Sequence, residues 1–179
     1  PIHSSAASDV YKRQLRELGH LLQTTGHSTQ ARQHYESALT IAQEINNTRY
    51  IGATHGFLGS LEVMVGNHTA ARDHLTVAIA HLEQVQASGA TARARSHLAI
   101  LYAARGELDE ALPCARTARD INGQPGVFQM TSCILAMLCL QAGDLDSAQQ
   151  ALQPFSEENL SGIPRAQVLA AEALLLAST

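Results

Sequence analysis

The sequence predicts an all-α fold, a right-handed superhelical solenoid of antiparallel helix hairpins. Three observations support this fold class. A set of glycine and alanine positions recurs about every 40 residues along most of the 179-residue chain. Apolar residues recur at spacings of three and four, which is the period of one helix face. Aromatic residues make up 4% of the chain against 45% apolar residues, so Leu and Ala must form a closely packed helical core.

Four copies of the pattern define the repeats. We place them at residues 12–50, 51–90, 91–127 and 128–162, followed by a terminal helix at residues 163–179 that forms half a repeat or a cap. In each copy one glycine marks the end of the first helix, because glycine adopts the left-handed conformation there without a side-chain penalty. These glycines are Gly26, Gly66, Gly106 and Gly143.

Small residues on both helices of each repeat allow the two helices to approach closely. The pairs are Gly19/Ala31, Gly59/Ala71, Ala99/Ala111 and Ala136/Ala148. Tyr35 and Leu75 are expected to fill the space between hairpins. We attribute Gly52, Gly56 and Gly59 to close helix packing as well, because no strand precedes them and no 20-residue apolar span contains them.

Polar residues shortly after each glycine are predicted to cap the second helix of the repeat. They are Ser28, Asn67, Asp109 and Asp144. Pro113 leaves two alternatives in the third repeat. A helix capped by Asp109 places Pro113 in the first turn, where its missing N–H costs little, whereas an earlier start causes a clash of about 3 kcal/mol and a kink. We expect the later start.

These residues resemble the tetratricopeptide repeat, a 34-residue pattern of a Leu-Gly pair, a Gly, an Ala, an aromatic residue and a second Ala. The resemblance extends over about residues 12–178, although the early Trp position holds Leu15 and His55, and the closing Pro is replaced by Gln43 and Glu83. The longer period is similar to that of arrays attached to bacterial signalling proteins, such as ATP-dependent LuxR-type activators, regulatory kinases and predicted ATPases. It is also similar to the arrays of eukaryotic cortical-polarity adaptors.

The resemblance implies a concave groove lined by fixed positions on the first helix of each repeat, where a partner peptide or helix binds. Carried over position by position, the candidate groove residues are Arg13, Arg16, His20, Gln23, Gly56, Ser60, Met64, Arg93, Ser96, Ile100 and Met137, with Ala53, Val63, Ala103, Met130 and Cys133 at further positions of the same kind. The set runs from basic and polar to apolar along the chain. A ligand with acidic groups followed by an apolar segment would suit it.

We therefore expect a protein–protein interaction scaffold that binds a peptide or helix in its groove. The alternative is a regulatory arm that senses a ligand or protein and controls an attached ATPase, kinase or DNA-binding domain. A third hypothesis is self-association through the terminal helix, because residues 166–177 are rich in Leu and carry little charge. No catalytic arrangement of Cys-His or Ser-His-Asp can be proposed, so neither an enzyme nor a cofactor is expected.

Metal binding and nucleic-acid binding are not expected either. Among nine histidines, His20 and His34 are separated by a predicted turn, and His74 and His81 lie about 10 Å apart along one helix. His34 and His74 are expected on the solvated outer side of the second helix. The net charge of −4 and the scattered basic residues argue against phosphate recognition.

The three cysteines are odd in number and favour a reducing cytoplasm over a disulfide framework, with Cys133 and Cys139 in the core. No apolar run reaches the roughly 20 residues that span a bilayer. Both ends are expected to be cut, because the chain begins with Pro1 and residues 4–14 resemble translated sequencing-adapter sequence of metagenomic reading frames. Residues 1–11 are therefore treated as an artefactual tail.

Overall fold

The computed structural model describes residues 5–121 and 125–153, with side chains from residue 13 onward. In these ranges the chain forms eight helices and no strand, which confirms the all-α prediction. The helices are α1 (Ser5–Thr24), α2 (Ser28–Glu44), α3 (Thr48–Met64), α4 (His68–Gln84), α5 (Ser88–Ala104), α6 (Leu108–Asp120), α7 (Pro125–Gln141) and α8 (Leu145–Leu152). The predicted terminal helix lies outside the described residues, and α1 includes residues assigned to the tail.

The chain divides into two compact units, residues 1–90 and 91–179, called unit 1 and unit 2 below. Unit 1 contains α1 to α4, and unit 2 contains most of α5 together with α6, α7 and α8. In each unit consecutive helices pack against one another, with α3 against α4 and α7 against α8. None of the helices in the described ranges combines the length and the hydropathy that crossing a bilayer requires.

The four predicted turn glycines all have positive φ, 84° at Gly26 and 78° at Gly66, Gly106 and Gly143. At the end of α3, the N–H of Gly66 donates to the Val63 carbonyl (3.2 Å) and that of Asn67 donates to the Glu62 carbonyl (2.9 Å). These bonds satisfy carbonyl groups that the helix itself leaves unpaired. The predicted ends of the first helices are therefore confirmed.

Two turns between successive hairpins also contain a left-handed residue, and the sequence did not indicate them. Asn46 follows α2 and Gln86 follows α4, each with φ of 52°. Their N–H groups donate to carbonyls three residues earlier, as the glycines do. The backbone of these turns therefore resembles that of the glycine turns, although the residue with positive φ carries a side chain.

The capping predictions divide between two outcomes. Asp144 caps α8 as predicted, because its carboxylate accepts from the Ser147 N–H at 3.0 Å. Hydrogen bonds from the side chain and then the backbone of Ser147 lower the pKa of Asp144. Asn67 occupies the N-cap position of α4, but its side chain makes no capping hydrogen bond. Asn47, which was not predicted, caps α3 by accepting from the Tyr50 N–H at 3.1 Å.

Ser28 and Asp109 are not caps, contrary to the prediction. Ser28 is the first residue of α2, and Asp109 lies in the first turn of α6, which begins one residue earlier at Leu108. The Ala111 N–H already donates to the Glu107 carbonyl at 3.0 Å. Leu108 packs against the core of unit 2, and this burial extends the helix. The later start was therefore wrong, and Pro113 lies beyond the first turn, inside α6.

Close helix packing explains Gly19 and Gly59 of unit 1 but not Gly56, contrary to the prediction, because a Cβ atom added there would meet only the Cβ of Ala78 at 3.9 Å. A Cβ atom added to Gly19 would lie 2.6 Å from the Tyr35 ring, and one added to Gly59 would lie 2.6 Å from Cγ of Leu75. Tyr35 is fully buried and stacks on Phe57 of the next hairpin at 5.4 Å between ring centroids. Tyr35 thus fills the space between hairpins as predicted, and Leu75 packs against Gly59 of its own hairpin.

Unit 2 has a core of small and aliphatic side chains from α5 to α8. Its buried cluster consists of Ala99, Ala111, Ala115, Leu135, Ala136, Leu138, Cys139, Ala148 and Ala151. Cys133 is also buried, at 2% exposure, so the prediction that Cys133 and Cys139 lie in the core is confirmed. The predicted small pairs Ala99/Ala111 and Ala136/Ala148 all belong to this cluster.

Candidate partner-binding site

The structure places all candidate groove residues on the first helices of the hairpins. Helix α1 carries Arg13, Arg16, His20 and Gln23; α3 carries Gly56, Ser60 and Met64; α5 carries Arg93, Ser96 and Ile100; and α7 carries Met137. The first two helices belong to unit 1 and the last two to unit 2. The two sets differ in chemistry and in the space between the helices.

Gln23 closes the space between α1 and α3 in unit 1. Its side chain is 4% exposed, and its amide nitrogen donates to Ser60 Oγ and Met64 Sδ, both at 3.0 Å. Its amide oxygen accepts from the Tyr35 hydroxyl at 2.8 Å, and burial raises the pKa of Tyr35. Gln23 and Ser60 therefore satisfy each other inside the protein, and only Met64 remains exposed at this point.

A cationic and aromatic surface lies nearer the N-terminus of α1. The Arg16 guanidinium stands 5.6 Å from the Phe57 ring centroid and 5.7 Å from that of Tyr50, within the range of cation–π attraction. The exposed His20 ring lies 6.0 Å from Phe57. Arg16 also pairs with the neighbouring Glu17 at 3.2 Å. This surface keeps one guanidinium oriented and partly solvated beside two aromatic rings.

A partly buried ion pair that was not predicted from the sequence connects α2 to α3. Arg32 of α2 donates to Glu62, whose side chain is fully buried. The second carboxylate oxygen of Glu62 has no hydrogen-bond partner among the described residues. In the sequence, the ion pair is indicated only by a charged residue between the apolar Leu61 and Val63. That position does not belong to the predicted groove.

In unit 2, an apolar cavity of about 610 Å³ lies between α5 and α7. Its walls are His97, Ile100, Ala103 and Ala104 of α5 and Met130, Cys133, Ile134, Met137, Leu138 and Gln141 of α7. Ile100 and Met137 were predicted for the groove, as were Ala103, Met130 and Cys133. The first helices of unit 2 therefore enclose space that the first helices of unit 1 fill.

Three residues near the cavity qualify the prediction. Ser96 is fully buried and its hydroxyl donates to the Ala92 carbonyl at 2.9 Å, so it does not line the cavity. Arg93 is exposed on α5. His97 was not predicted, yet it forms part of the wall. Burial, and to a smaller extent the charge of Arg93, lower the pKa of His97 to about 4, so this wall is uncharged at neutral pH.

Sequence comparison identifies the repeat itself. A family model of the tetratricopeptide repeat matches residues 13–84 and 50–124, and a second model of this repeat matches residues 130–154. The chain belongs to the tetratricopeptide repeat family. No curated protein sequence matches it significantly. Membership of the family supports protein–protein interaction as its general kind of function.

One solved structure similar to this tetratricopeptide repeat chain is the crystal structure of BtubC (BKLC) from P. vanneervenii. The two share 19% sequence identity with a TM-score of 0.67 over 82% of this chain and 62% of that one. At this identity the similarity concerns the fold alone, and it agrees with an all-α solenoid. The chain spans less than two thirds of the length of that protein.

The register of the tetratricopeptide repeats explains why the cavity is in unit 2. Ala103 follows Gln23 by two repeats of 40 residues (103 − 23 = 80), and Met137 follows Ser60 by one repeat of 40 and one of 37 (137 − 60 = 77). Where unit 1 has a long amide that reaches across to α3, unit 2 has a methyl group. The shortened side chain leaves an apolar opening between its two first helices.

The histidines gave one wrong prediction. His74 was expected on the solvated outer side of α4, but it is half-buried and its Nδ1 lies 2.9 Å from Nδ1 of His55 on α3. The two residues are 19 positions apart on different helices, so no spacing rule within one helix could pair them. In the part of the chain that the structure describes, no three His, Cys, Asp or Glu side chains come together as metal ligands.

Proposed function

We propose that this chain is a protein interaction scaffold that binds a partner peptide or helix on its first helices, with the α5–α7 cavity receiving apolar side chains of the partner. The cavity is the single observation that carries the proposal. Its walls are aliphatic, thioether and thiol groups from two helices, with His97 and Gln141 as polar groups at the wall. Binding pockets in proteins have this mixture of apolar walls and few polar groups, at volumes of about 300–1,000 Å³.

The energetics favour a partner with two apolar anchors. Burying one Leu or Met side chain contributes about 1.5–3 kcal/mol, whereas association costs about 4 kcal/mol or more in lost freedom of motion. One anchor alone therefore does not hold a peptide. A helix that presents apolar residues at positions i and i+3 or i+4 inserts both into one groove.

The cationic surface of unit 1 suits an acidic group on a partner. Arg13 and His20 are exposed on α1, and Arg16 is held beside Phe57. A carboxylate on the partner would accept hydrogen bonds from the oriented guanidinium, which are stronger than those between neutral groups. These contacts are part of the proposal and need testing separately from the cavity.

The test fills the cavity with glutamine, because unit 1 has Gln23 at the position that corresponds to Ala103. Peptides are selected from a random 12-residue phage-displayed library on the complete chain, and their affinities are measured by fluorescence anisotropy on Ala103→Gln. We expect the selected peptides to share apolar anchors and to lose at least tenfold in affinity. Ala80→Gln is the matched control, because Ala80 is an exposed helical residue of unit 1.

Two results would contradict the proposal. One is the failure of any peptide to be enriched on the wild-type chain. The other is equal affinity of the selected peptides for Ala103→Gln and Ala80→Gln. Circular dichroism of both variants verifies that helicity is retained, since glutamine is well tolerated in helices.

A further inference from the structure

His55 of α3 and His74 of α4 meet end to end inside the second hairpin. Their Nδ1 atoms are 2.9 Å apart and their ring centroids 5.1 Å apart, with 39° between the ring planes. The centroid separation exceeds the nitrogen separation by about twice the distance from a ring centroid to its nitrogen. The two Nδ1 atoms therefore lie close to the line that joins the ring centroids. This is the geometry of an N–H···N hydrogen bond.

The number of protons on the two rings decides whether this hydrogen bond exists. When both imidazoles are neutral, one Nδ1 donates and the other accepts. One added proton preserves the contact, because a cationic Nδ1–H still faces a neutral acceptor. A second proton makes both atoms donors and places two cations in contact. The contact therefore accommodates at most one added proton.

The surrounding charges on all three helices act on this pair. They come from Arg32 and Glu36 of α2, Glu62 of α3, and Asp73 and His81 of α4. For His55, burial and then the charges of His74 and His81 lower the pKa to about 4. For His74, burial lowers the pKa while the nearby carboxylates oppose that shift. Burial and the neighbouring imidazole thus oppose protonation of the pair.

We infer that His55 and His74 form an acid-sensitive contact that fastens α3 to α4 near neutral pH and releases it when both rings become protonated. The direction follows from proton linkage. A histidine whose pKa is lower in the folded protein contributes stability above its ordinary value of 6.5, and this contribution is lost as pH falls toward about 4. Helix α3 carries the exposed Met64, so acid would loosen the helix that presents this candidate groove residue.

The neighbouring repeats show which feature is special to this hairpin. Forty residues earlier, the corresponding positions hold Leu15 and His34, and 40 residues later they hold Arg95 and Cys114. The Cys114 thiol donates to the Arg95 carbonyl at 3.2 Å, so these positions also connect the two helices in the third repeat. In the described chain, only the second repeat places two imidazoles at these positions.

Imidazole nitrogen NMR on the complete chain tests the inference directly. Wild-type protein labelled with ¹⁵N is expected to show a scalar coupling between the two Nδ1 atoms at pH 7. The coupling should disappear as pH falls below about 4, and the protection factors of the α3 and α4 amides, which correct for the slower intrinsic exchange in acid, should then decrease.

Variants separate this contact from general acid sensitivity. His55→Leu introduces the residue that the first repeat has at this position, and it should abolish both the coupling and the acid-dependent loss of protection. His34→Gln is the matched control and should retain both. Absence of the coupling at pH 7 in wild type would overturn the inference. So would its appearance only after EDTA treatment, which would indicate a bound metal ion, or equal acid-dependent exchange in His55→Leu.

Discussion

Between α2 and α3 of unit 1, Arg32 forms an ion pair with the buried Glu62. The corresponding positions in unit 2 hold Leu112 and Cys139 (112 − 32 = 80; 139 − 62 = 77), and both belong to or pack against the apolar core. The same repeat backbone therefore accepts either a charged or an apolar connection between hairpins. A charged connection is specific but sensitive, because loss of one partner strands a charge in a low-dielectric interior.

The first helices show the same contrast. Gln23 connects α1 to α3 through Ser60 and Met64, whereas Ala103 and Met137 leave a cavity between α5 and α7. Unit 1 thus uses its long polar side chains to satisfy one another. Unit 2 leaves apolar surface available, and this is the surface that we propose receives a partner.

Removal of Arg32 should produce the largest effect on unit 1. Arg32→Leu leaves Glu62 buried without its partner and is expected to lower the free energy of unfolding by about 3–5 kcal/mol. The double variant Arg32→Leu/Glu62→Cys reproduces the pair of unit 2 and should recover most of that loss. Urea unfolding of the complete chain, followed by circular dichroism, measures both variants.

The comparison between the units would fail if the double variant were as unstable as the single one. That result would mean that unit 1 requires the Arg32–Glu62 ion pair itself, and that removing the unpaired carboxylate is not sufficient. A small loss in Arg32→Leu would show that water reaches Glu62.

The helix pairs and their turns were predictable from the sequence because they depend on local chemistry. Gly66 and Gly106 mark left-handed turns, and the recurrence of such glycines sets the register of the repeats. The cavity was predictable only in part. The repeat pattern selects Ile100 and Met137 as groove residues, but the space between them depends on the length of the side chain at Ala103, a comparison between repeats that local patterns do not make.

Other contacts could not be predicted because they join residues that are distant in sequence. His74 was compared only with His81 on its own helix, and His55 was considered only as the residue at the early Trp position of the repeat. Gln23 and Ser60 were assigned to the partner-binding surface because of their repeat positions, yet each satisfies the other in the interior. The position of a residue on a helix face indicates which way its side chain points. Whether that side chain is exposed depends on its length and on its hydrogen-bond partners.

The second prediction concerns the close approach of helices in unit 1. Gly59→Ala places a methyl group 2.6 Å from Cγ and 3.2 Å from the backbone nitrogen of Leu75. We expect a net loss of about 1–2 kcal/mol, because overpacking outweighs the gain in helix propensity. Unit 2 already has Ala99 at this position, opposite the smaller Ala115 (115 − 99 = 75 − 59 = 16).

Gly56→Ala is the matched control on the same helix. Its added methyl group would meet only the Cβ of Ala78, at an ordinary contact distance of 3.9 Å. It should therefore gain up to about 1 kcal/mol from helix propensity. Equal effects of the two substitutions in urea unfolding would contradict the account of close packing at Gly59.

The smallest expected effect concerns the turns of unit 1, where two kinds of turn differ. The turns that follow α2 and α4 contain Asn46 and Gln86 at φ of 52°, whereas the turns that follow α1 and α3 contain Gly26 and Gly66. Gln86→Gly should stabilise the chain by about 0.5 kcal/mol, because relief of a left-handed side chain exceeds the added freedom of the unfolded glycine. Asn46→Gly should gain less, since Asn tolerates this conformation better than Gln.

Gln84→Gly provides the opposite sign two residues away. Gln84 is exposed and ends α4, so glycine there removes helix propensity without relieving strain and should cost up to about 1 kcal/mol. Thermal unfolding of the three variants under identical conditions gives the order directly. If Gln86→Gly were as destabilising as Gln84→Gly, the φ of Gln86 would not be a source of strain. The turns that follow α2 and α4 would then be as relaxed as the glycine turns that follow α1 and α3.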